Sequence, residues 1–160
     1  MKQAKTNVVR LLEAAGIDCI EKHYDTADGL IDAVSVARKI NEPPEQVFKT
    51  LVTHSDRGEH FVFVVPSAGE LDLKKAARAA KCKSIEMIPL KQLLPLTGYV
   101  HGGCSPVGMK KAFPTFIHQT AESQERIFVS AGKVGFQVGV DPNRLAALVR
   151  FAWADLTADG

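Results

Sequence analysis

Apolar side chains recur three and four positions apart in several segments of the chain, and this spacing predicts amphipathic helices. The first such segment begins after Thr6 or Asn7, either of which is a good N-cap. It ends at Gly16, where the apolar pattern stops. The predicted helices cover residues 8–15, Asp32–Ile40, Leu71–Ala80 capped by Asp72, a turn that begins at Pro89, and Arg144–Phe151.

Runs rich in β-branched and aromatic residues predict strands. Val47–Thr53 and His60–Val65 are separated by the turn-forming Ser55–Gly58, so we expect them to pair as an antiparallel hairpin. Because several strands are adjacent and no β-α repeat is present, we predict an α+β fold. One domain over residues 1–160 would hold a mixed, mostly antiparallel, barrel-like sheet flanked by helices. The other predicted strands are Ile17–Tyr24, Ser84–Ile88, Thr115–Gln119, Ile127–Ser130 and Gly135–Val140.

The composition is that of an ordinary globular protein. The 160 residues are 46% hydrophobic and 24% charged, and the formal net charge of +2 is too small to indicate an obligate DNA-binding protein. Cys19, Cys82 and Cys104 are widely separated and form no C-x-x-C motif, which argues for a reducing compartment. No apolar run approaches the ~18 residues of a membrane span. We therefore expect a cytoplasmic protein with neither DNA nor a membrane as its partner.

The segment from Gly98 to Lys111, called the glycine loop below, has the most unusual composition in the chain. It contains four glycines and a proline within the eleven residues from Gly98 to Gly108, and it ends at paired lysines. Glycine reaches backbone angles closed to other residues, and its amide can approach a ligand closely. Successive amides in such a turn can bind an anion or a developing oxyanion. The alternative is a tight surface turn, but the combination with lysines favours a binding loop.

Lysines supply the second candidate feature. Lys49 interrupts an apolar strand, where it is either a solvated outward charge or a point charge for a phosphate or carbonyl oxygen in a pocket. A larger basic set follows, which is either a solvated helix face or a patch for a nucleic-acid backbone. This set comprises Lys74, Lys75, Arg78, Lys81, Lys83, Lys110, Lys111 and Lys133.

Metal and nucleophile motifs are incomplete. His101 and Cys104 form an H-x-x-C, yet no second cluster completes a tetrahedral zinc site. Cys104 with His101 could form a thiolate nucleophile, although a small packing side chain is the better interpretation. Ser105 lacks the G-x-S-x-G elbow. We therefore expect neither a metal ion nor a cofactor.

Five ordered segments together resemble the YbaK/EbsC family, the Cys-tRNA(Pro) deacylases related to the editing domain of bacterial prolyl-tRNA synthetase. The resemblance covers nearly the whole chain, and it implies a freestanding hydrolase that removes a wrong amino acid from tRNA. The implied mechanism lets the substrate's own thiol attack its carbonyl carbon. The segments that carry the resemblance are His23–Tyr24, Val47–Leu51, Gly69–Lys75, Gly98–Lys111 and Val129–Lys133.

The resemblance also implies roles for individual residues. Lys49 matches the key lysine, expected to hold the terminal adenosine or its phosphate. Gly102 and Gly103 match the loop whose amides face the aminoacyl group. The implied substrate-binding positions are Tyr24, Thr50, Cys104, Ser130 and Gln137. The implied tRNA-facing positions are Lys74, Lys75, Lys110 and Lys133.

Three positions depart from the family pattern and put the amino-acid preference in question. Cys104 stands where some members carry an aliphatic residue, Ala131 replaces a glycine, and Gln137 occupies a position that is acidic in some members. The alternatives are a deacylase for Ala- or Ser-type mischarged tRNA, a non-catalytic module that binds tRNA or a synthetase, and a thiol-redox or metal protein built on Cys104. Mischarged tRNA is the expected partner, with prolyl-tRNA synthetase as a candidate second one.

Overall fold

The strands of the computed structural model, which describes residues 5–158, form two sheets. They are β1 Cys19–His23, β2 Phe48–Ser55, β3 His60–Pro66, β4 Ile85–Met87, β5 Thr115–His118, β6 Ile127–Ser130, β7 Phe136–Val140 and β8 Phe151–Ala154. The smaller sheet has the order β1-β7-β6 and is antiparallel. The larger has the order β4-β2-β3-β5-β8, in which β5 runs parallel to both of its neighbours.

The helices begin where the sequence provides capping side chains. They are α1 Asn7–Ala14, α2 Ala33–Lys39, α3 Leu73–Ala80 and α4 Leu93–Thr97. Thr6 accepts a hydrogen bond from the amide of Val9, and Asp72 accepts from the amides of Lys74 and Lys75. Within residues 5–158, none of the helices has the length and apolar character needed to cross a membrane.

Strand β3 lies at the centre of the larger sheet and is covered on both faces. Val62 and Val64 belong to one apolar cluster, and Phe61, Phe63 and Val65 belong to another. A strand that is buried on both faces carries a continuous apolar run rather than an alternating one. This burial explains the unbroken Phe61–Val65 segment of the sequence.

The two sheets meet where the chain enters β2. Val47 forms an isolated parallel bridge with Phe128 of β6, and both side chains are fully buried. Val36, Ala37 and Ile40 from α2 pack against this pair. The start of β2 therefore lies beside the ends of β6 and β7, which positions residues from both sheets around one space.

The structure confirms the predicted hairpin and α3 with its Asp72 cap. It also confirms the mixed, mostly antiparallel α+β character, since four of the six strand pairs within residues 5–158 are antiparallel. The predicted helix over Arg144–Phe151 is wrong. A 3-10 helix spans Pro142–Ala147, and Phe151 begins β8, which pairs with β5.

The described strand pairs leave β4 and β8 as edges, so barrel-like closure is not confirmed. Of the domain predicted over residues 1–160, residues 1–4, 159 and 160 lie outside the described part.

Packing requires a glycine at position 139 of β7. A Cβ there would lie 2.6 Å from Cε1 of Phe128 and 2.8 Å from Cδ of Arg126. We expect Gly139→Ala to lower the free energy of unfolding by about 1–3 kcal/mol through overpacking. Urea denaturation measures this loss. Adding Phe128→Leu removes the clashing ring atoms, so the double variant should lose less than the sum of the two single variants. Strict additivity would contradict the clash.

Candidate active site

A cavity of about 250 Å³ opens where the start of β2 faces the N-terminus of α2 and the glycine loop. Residues from both sheets reach its wall, because the bridge between Val47 and Phe128 brings β2 beside β6. This wall contains seven of the eight residues predicted as catalytic or substrate-binding; the exception is Gly103. These lining residues are Tyr24, Lys49, Thr50, Gly102, Cys104, Ser130 and Gln137.

Lys49 brings an uncompensated positive charge to this wall. The register of the hairpin places it opposite Val65, and its Nζ donates only a long hydrogen bond, 3.4 Å, to the carbonyl oxygen of Ser67. None of the ion pairs found within residues 5–158 includes Lys49. A half-buried ammonium without a carboxylate partner is suited to bind an anionic or carbonyl oxygen from a ligand.

Three residues that line the cavity each carry a polar oxygen with no hydrogen-bond partner among residues 5–158. These oxygens are Oη of Tyr24, Oγ1 of Thr50 and Oε1 of Gln137, and each atom is buried. Buried polar atoms are normally paired, since each one left unpaired costs about 1–3 kcal/mol. Three such atoms around one cavity indicate a site whose hydrogen bonds are completed by a ligand.

The glycine loop closes one side of the cavity through Gly102. This residue has φ +87°, and a Cβ on it would lie 2.7 Å from Cδ1 of Ile31. A side chain would therefore meet both backbone strain and a steric clash. Its amide makes no hydrogen bond with any residue of the described part of the chain, so it is available to a ligand.

Gly103 does not have the role predicted for it. It does not line the cavity, and its amide donates to the carbonyl oxygen of Val100 at 2.9 Å, so that amide is not free to face an aminoacyl group. A Cβ there would lie 3.1 Å from the backbone nitrogen of Val134 and 3.3 Å from Cα of Lys133. Glycine is needed at this position because two backbone segments approach each other closely.

Ser130 and Gln137 face each other across β6 and β7. Oγ of Ser130 accepts a hydrogen bond from the amide of Gly132 at 3.1 Å, which orders the turn between the two strands. Lys22, which pairs with Gln137 from the other side, directs its Nζ to Glu42 and to the carbonyl oxygen of Ile40. Gln137 therefore lies between Lys22 and Ser130, and within residues 5–158 neither donates a hydrogen bond to its Oε1.

Cys104 is a buried wall residue rather than an activated thiol. Burial raises the pKa of its thiol to about 12, with a hydrogen bond to Thr97 acting in the opposite direction. Neutral pH therefore leaves it protonated. A nucleophilic cysteine needs a lowered pKa, so the structure disfavours the thiolate alternative.

The four lysines predicted to face tRNA differ in their surroundings. Lys75 forms an ion pair with Asp155 and donates to the carbonyl oxygen of Thr157 at 2.7 Å, so its charge is committed to the fold. Lys74 is exposed on α3, which contributes no residue to the cavity wall. Lys110 and Lys133 are exposed, and Lys133 adjoins Gly103. Of the four, Lys110 and Lys133 therefore lie in or beside the glycine loop.

The sequence did not reveal the apolar and acidic part of the wall. Asp32 and Ala33 begin the helix predicted over Asp32–Ile40, and Ile31 precedes it, but none of the three was predicted to line a site. A larger cavity of about 670 Å³ on the other side of the glycine loop was also not predicted. It is mainly apolar, with Phe113 and Phe151 in its wall, and holds none of the predicted site residues.

The protonated state of Cys104 can be tested by alkylation. With a pKa of about 12, roughly one thiol in ten thousand is ionised at pH 8. We expect iodoacetamide to modify Cys104 far more slowly than the partly exposed Cys82 when peptide mapping by mass spectrometry follows the reaction. Denatured protein, in which the three cysteines should react at similar rates, is the control. Equal rates in the folded protein would contradict the assignment.

Comparisons with known proteins identify the family of the chain. The aminoacyl-tRNA editing domain model matches residues 29–148. A protein of Enterococcus faecalis (strain ATCC 700802 / V583), named "Putative Cys-tRNA(Pro)/Cys-tRNA(Cys) deacylase EbsC", is 40% identical over 97% of this chain and 94% of its own. A solved structure described as "a putative trans-editing enzyme for prolyl tRNA synthetase" has TM-score 0.79 at 23% identity, covering 97% of this chain and 99% of that one. Another, of hypothetical protein APE2540, has TM-score 0.81 at 18% identity, covering 94% and 98%. The chain belongs to the aminoacyl-tRNA editing domain family.

Proposed function

We propose that this protein hydrolyses the aminoacyl ester of Cys-tRNA(Pro). The observation that carries the proposal is the cavity beside Lys49, with its three unpaired polar atoms and free Gly102 amide. The name of the relative at 40% identity supports the same substrate class. Cysteine and proline are similar in size, and a synthetase pocket discriminates poorly between near-isosteres, so a second hydrolytic site supplies the missing fidelity.

The cavity suits a reaction that needs no nucleophile from the protein. The Cys104 thiol is buried and protonated, so it is a poor nucleophile for the ester. In the proposed step the substrate's thiol sulfur bonds to its own carbonyl carbon, and the ester C–O bond then breaks. The thiol proton passes to the departing 3′-terminal ribose oxygen, and water later opens the resulting thiolactone to free cysteine. The protein contributes orientation and electrostatic stabilisation.

Lys49 is the proposed catalytic residue. Negative charge develops on the carbonyl oxygen as the thiol attacks, and an ammonium in a partly desolvated cavity stabilises that charge more than bulk water does. Nζ of Lys49 makes a long hydrogen bond of 3.4 Å to the carbonyl oxygen of Ser67. Breaking this bond to bind the substrate costs little free energy. The Gly102 amide is a second proposed donor to the same oxygen or to the adjacent terminal phosphate.

The proposed tRNA-binding surface comprises Lys133, which adjoins the glycine loop at Gly103, Lys110 within that loop, and Lys74 on α3. Exposed lysines neutralise phosphates and steer a polyanion to the site. Lys75 contributes less, since Asp155 already neutralises it. We propose a cytoplasmic protein built as one domain. Prolyl-tRNA synthetase is the proposed second partner, which would supply selectivity for the tRNA body.

Replacing Lys49 tests the proposed function directly. We expect Lys49→Ala to lower kcat/KM for Cys-tRNA(Pro) by about 100-fold or more, since removing a single oxyanion donor typically costs a factor of 10²–10³. Release of radiolabelled cysteine from the tRNA measures the rate. Lys91→Ala, which removes an exposed lysine that lies outside the cavity wall, is the matched control and should leave the rate unchanged.

Ser-tRNA(Pro) in the same assay separates the thiol-assisted mechanism from hydrolysis by water. Serine has a hydroxyl in place of the thiol, so the wild-type protein should leave its ester nearly intact. Hydrolysis of both esters at similar rates would contradict thiol assistance. Intact Cys-tRNA(Pro) with the wild-type protein would contradict the deacylase itself.

A further inference from the structure

Gln137 is the most completely buried of the three residues whose polar atoms are unpaired at the cavity. It is 6% exposed, and its Oε1 has no hydrogen-bond partner in the described part of the chain. Within residues 5–158 neither of its neighbours in the sheet donates to this oxygen: Lys22 directs its Nζ to Glu42, and Ser130 is recorded only as the acceptor of the Gly132 amide. Gln137 lines the cavity, and a buried amide oxygen without a partner is suited to accept a hydrogen bond from a ligand.

The polar groups of the wall differ in what they can bind. Lys49 only donates, whereas the hydroxyls of Tyr24 and Thr50 both donate and accept. The carbonyl oxygen of Gln137 only accepts. An aminoacyl ester presents two groups of opposite kind. Its α-amino group, when charged, only donates hydrogen bonds, and its carbonyl oxygen only accepts them. Matching donors to acceptors pairs the ester carbonyl with Lys49 and the α-amino group with Gln137.

We propose that Oε1 of Gln137 accepts a hydrogen bond from the α-amino group of the aminoacyl ester and thereby selects α-aminoacyl groups over acyl groups that lack the amine. This assignment rests on the proposed function, because it takes the occupant of the cavity to be an aminoacyl ester. It makes Gln137 a specificity-determining residue that acts on the backbone of the amino acid rather than on its side chain.

Asp32 is the competing acceptor, since its carboxylate also lies at the cavity wall. It already has a structural task, however. Oδ2 of Asp32 accepts a hydrogen bond from the amide of Ser35 and caps α2. Hydrogen bonds from Ser35 lower the pKa of this carboxyl, so it is charged and exposed to solvent at neutral pH. Exposed charges are screened, so a buried and unpaired amide oxygen is the stronger candidate.

The test uses two non-hydrolysable ligands that differ only in the amine. Both are 3′-amido analogues of an acylated adenosine, one carrying cysteine and the other 3-mercaptopropionate, which keeps the thiol. Calorimetric titration of the wild-type protein should give a preference for the cysteinyl analogue of roughly 10- to 100-fold, the usual range for a hydrogen bond to a charged group. Gln137→Met should reduce that preference to less than about 3-fold while the affinity for the mercaptopropionyl analogue stays within about 3-fold.

Two further variants keep the assignment falsifiable. Gln137→Glu retains the shape and an acceptor oxygen, so it should preserve the preference even if the methionine variant is poorly folded. Asp32→Asn keeps a good N-cap and removes the charge, so the preference should persist. Three results would each overturn the proposal. The first is loss of the preference in Asp32→Asn alone, and the second is equal weakening of both ligands in Gln137→Met. The third is that the wild-type protein binds neither ligand.

Hydrolysis is scored separately from binding. If the wild-type protein prefers the cysteinyl analogue through Gln137 but leaves Cys-tRNA(Pro) intact, the proposed function fails while the assignment of Gln137 holds. If Cys-tRNA(Pro) is hydrolysed but Gln137→Met keeps the full preference, the function holds and the assignment fails.

Discussion

The candidate site depends on the contact between Val47 and Phe128. This parallel bridge links the backbones of the two sheets beside their shared apolar cluster, and both of its side chains are fully buried. It brings the start of β2, with Lys49 and Thr50, beside the strand ends that carry Ser130 and Gln137. Lys49 and Thr50 belong to the larger sheet and Ser130 and Gln137 to the smaller one, so the cavity exists only because the sheets are held together here.

The same junction has a cost in stability. Oxygen atoms of Tyr24, Thr50 and Gln137 are buried without partners, and each contributes an unfavourable free energy of about 1–3 kcal/mol. Close packing on either side offsets this cost: α2 covers the bridge, and the apolar clusters cover both faces of β3. A rigid frame around unsatisfied polar atoms is the arrangement expected of a binding site that recovers its hydrogen bonds from a ligand.

Capping and turn residues in the sequence were sufficient to predict the helix and the hairpin that they delimit. The Asp72 cap predicted α3, and the turn at Ser55–Gly58 predicted the hairpin that holds Lys49. The strand Phe151–Ala154 was missed because its pairing with β5 joins residues far apart in the chain, and such pairing leaves no local pattern.

Family resemblance predicted seven of the fifteen residues in the cavity wall, but a matching motif does not establish what each matched residue does in the fold. Gly103 matched the loop motif, yet its amide is used by a turn to Val100, and its lack of a side chain serves packing against Lys133. Lys75 matched a basic patch, yet Asp155 neutralises it. Such roles depend on which partners a folded chain brings within hydrogen-bond distance, and a linear motif does not encode this.

The central claim is that the cavity beside Lys49 binds the aminoacyl end of tRNA. A crystal structure with the non-hydrolysable cysteinyl amide of adenosine tests it most directly. The account predicts the ligand in the cavity between β2 and the glycine loop, with its carbonyl oxygen within hydrogen-bond distance of Nζ of Lys49. Electron density for the ligand only in the larger apolar cavity beside Phe113 and Phe151 would contradict it.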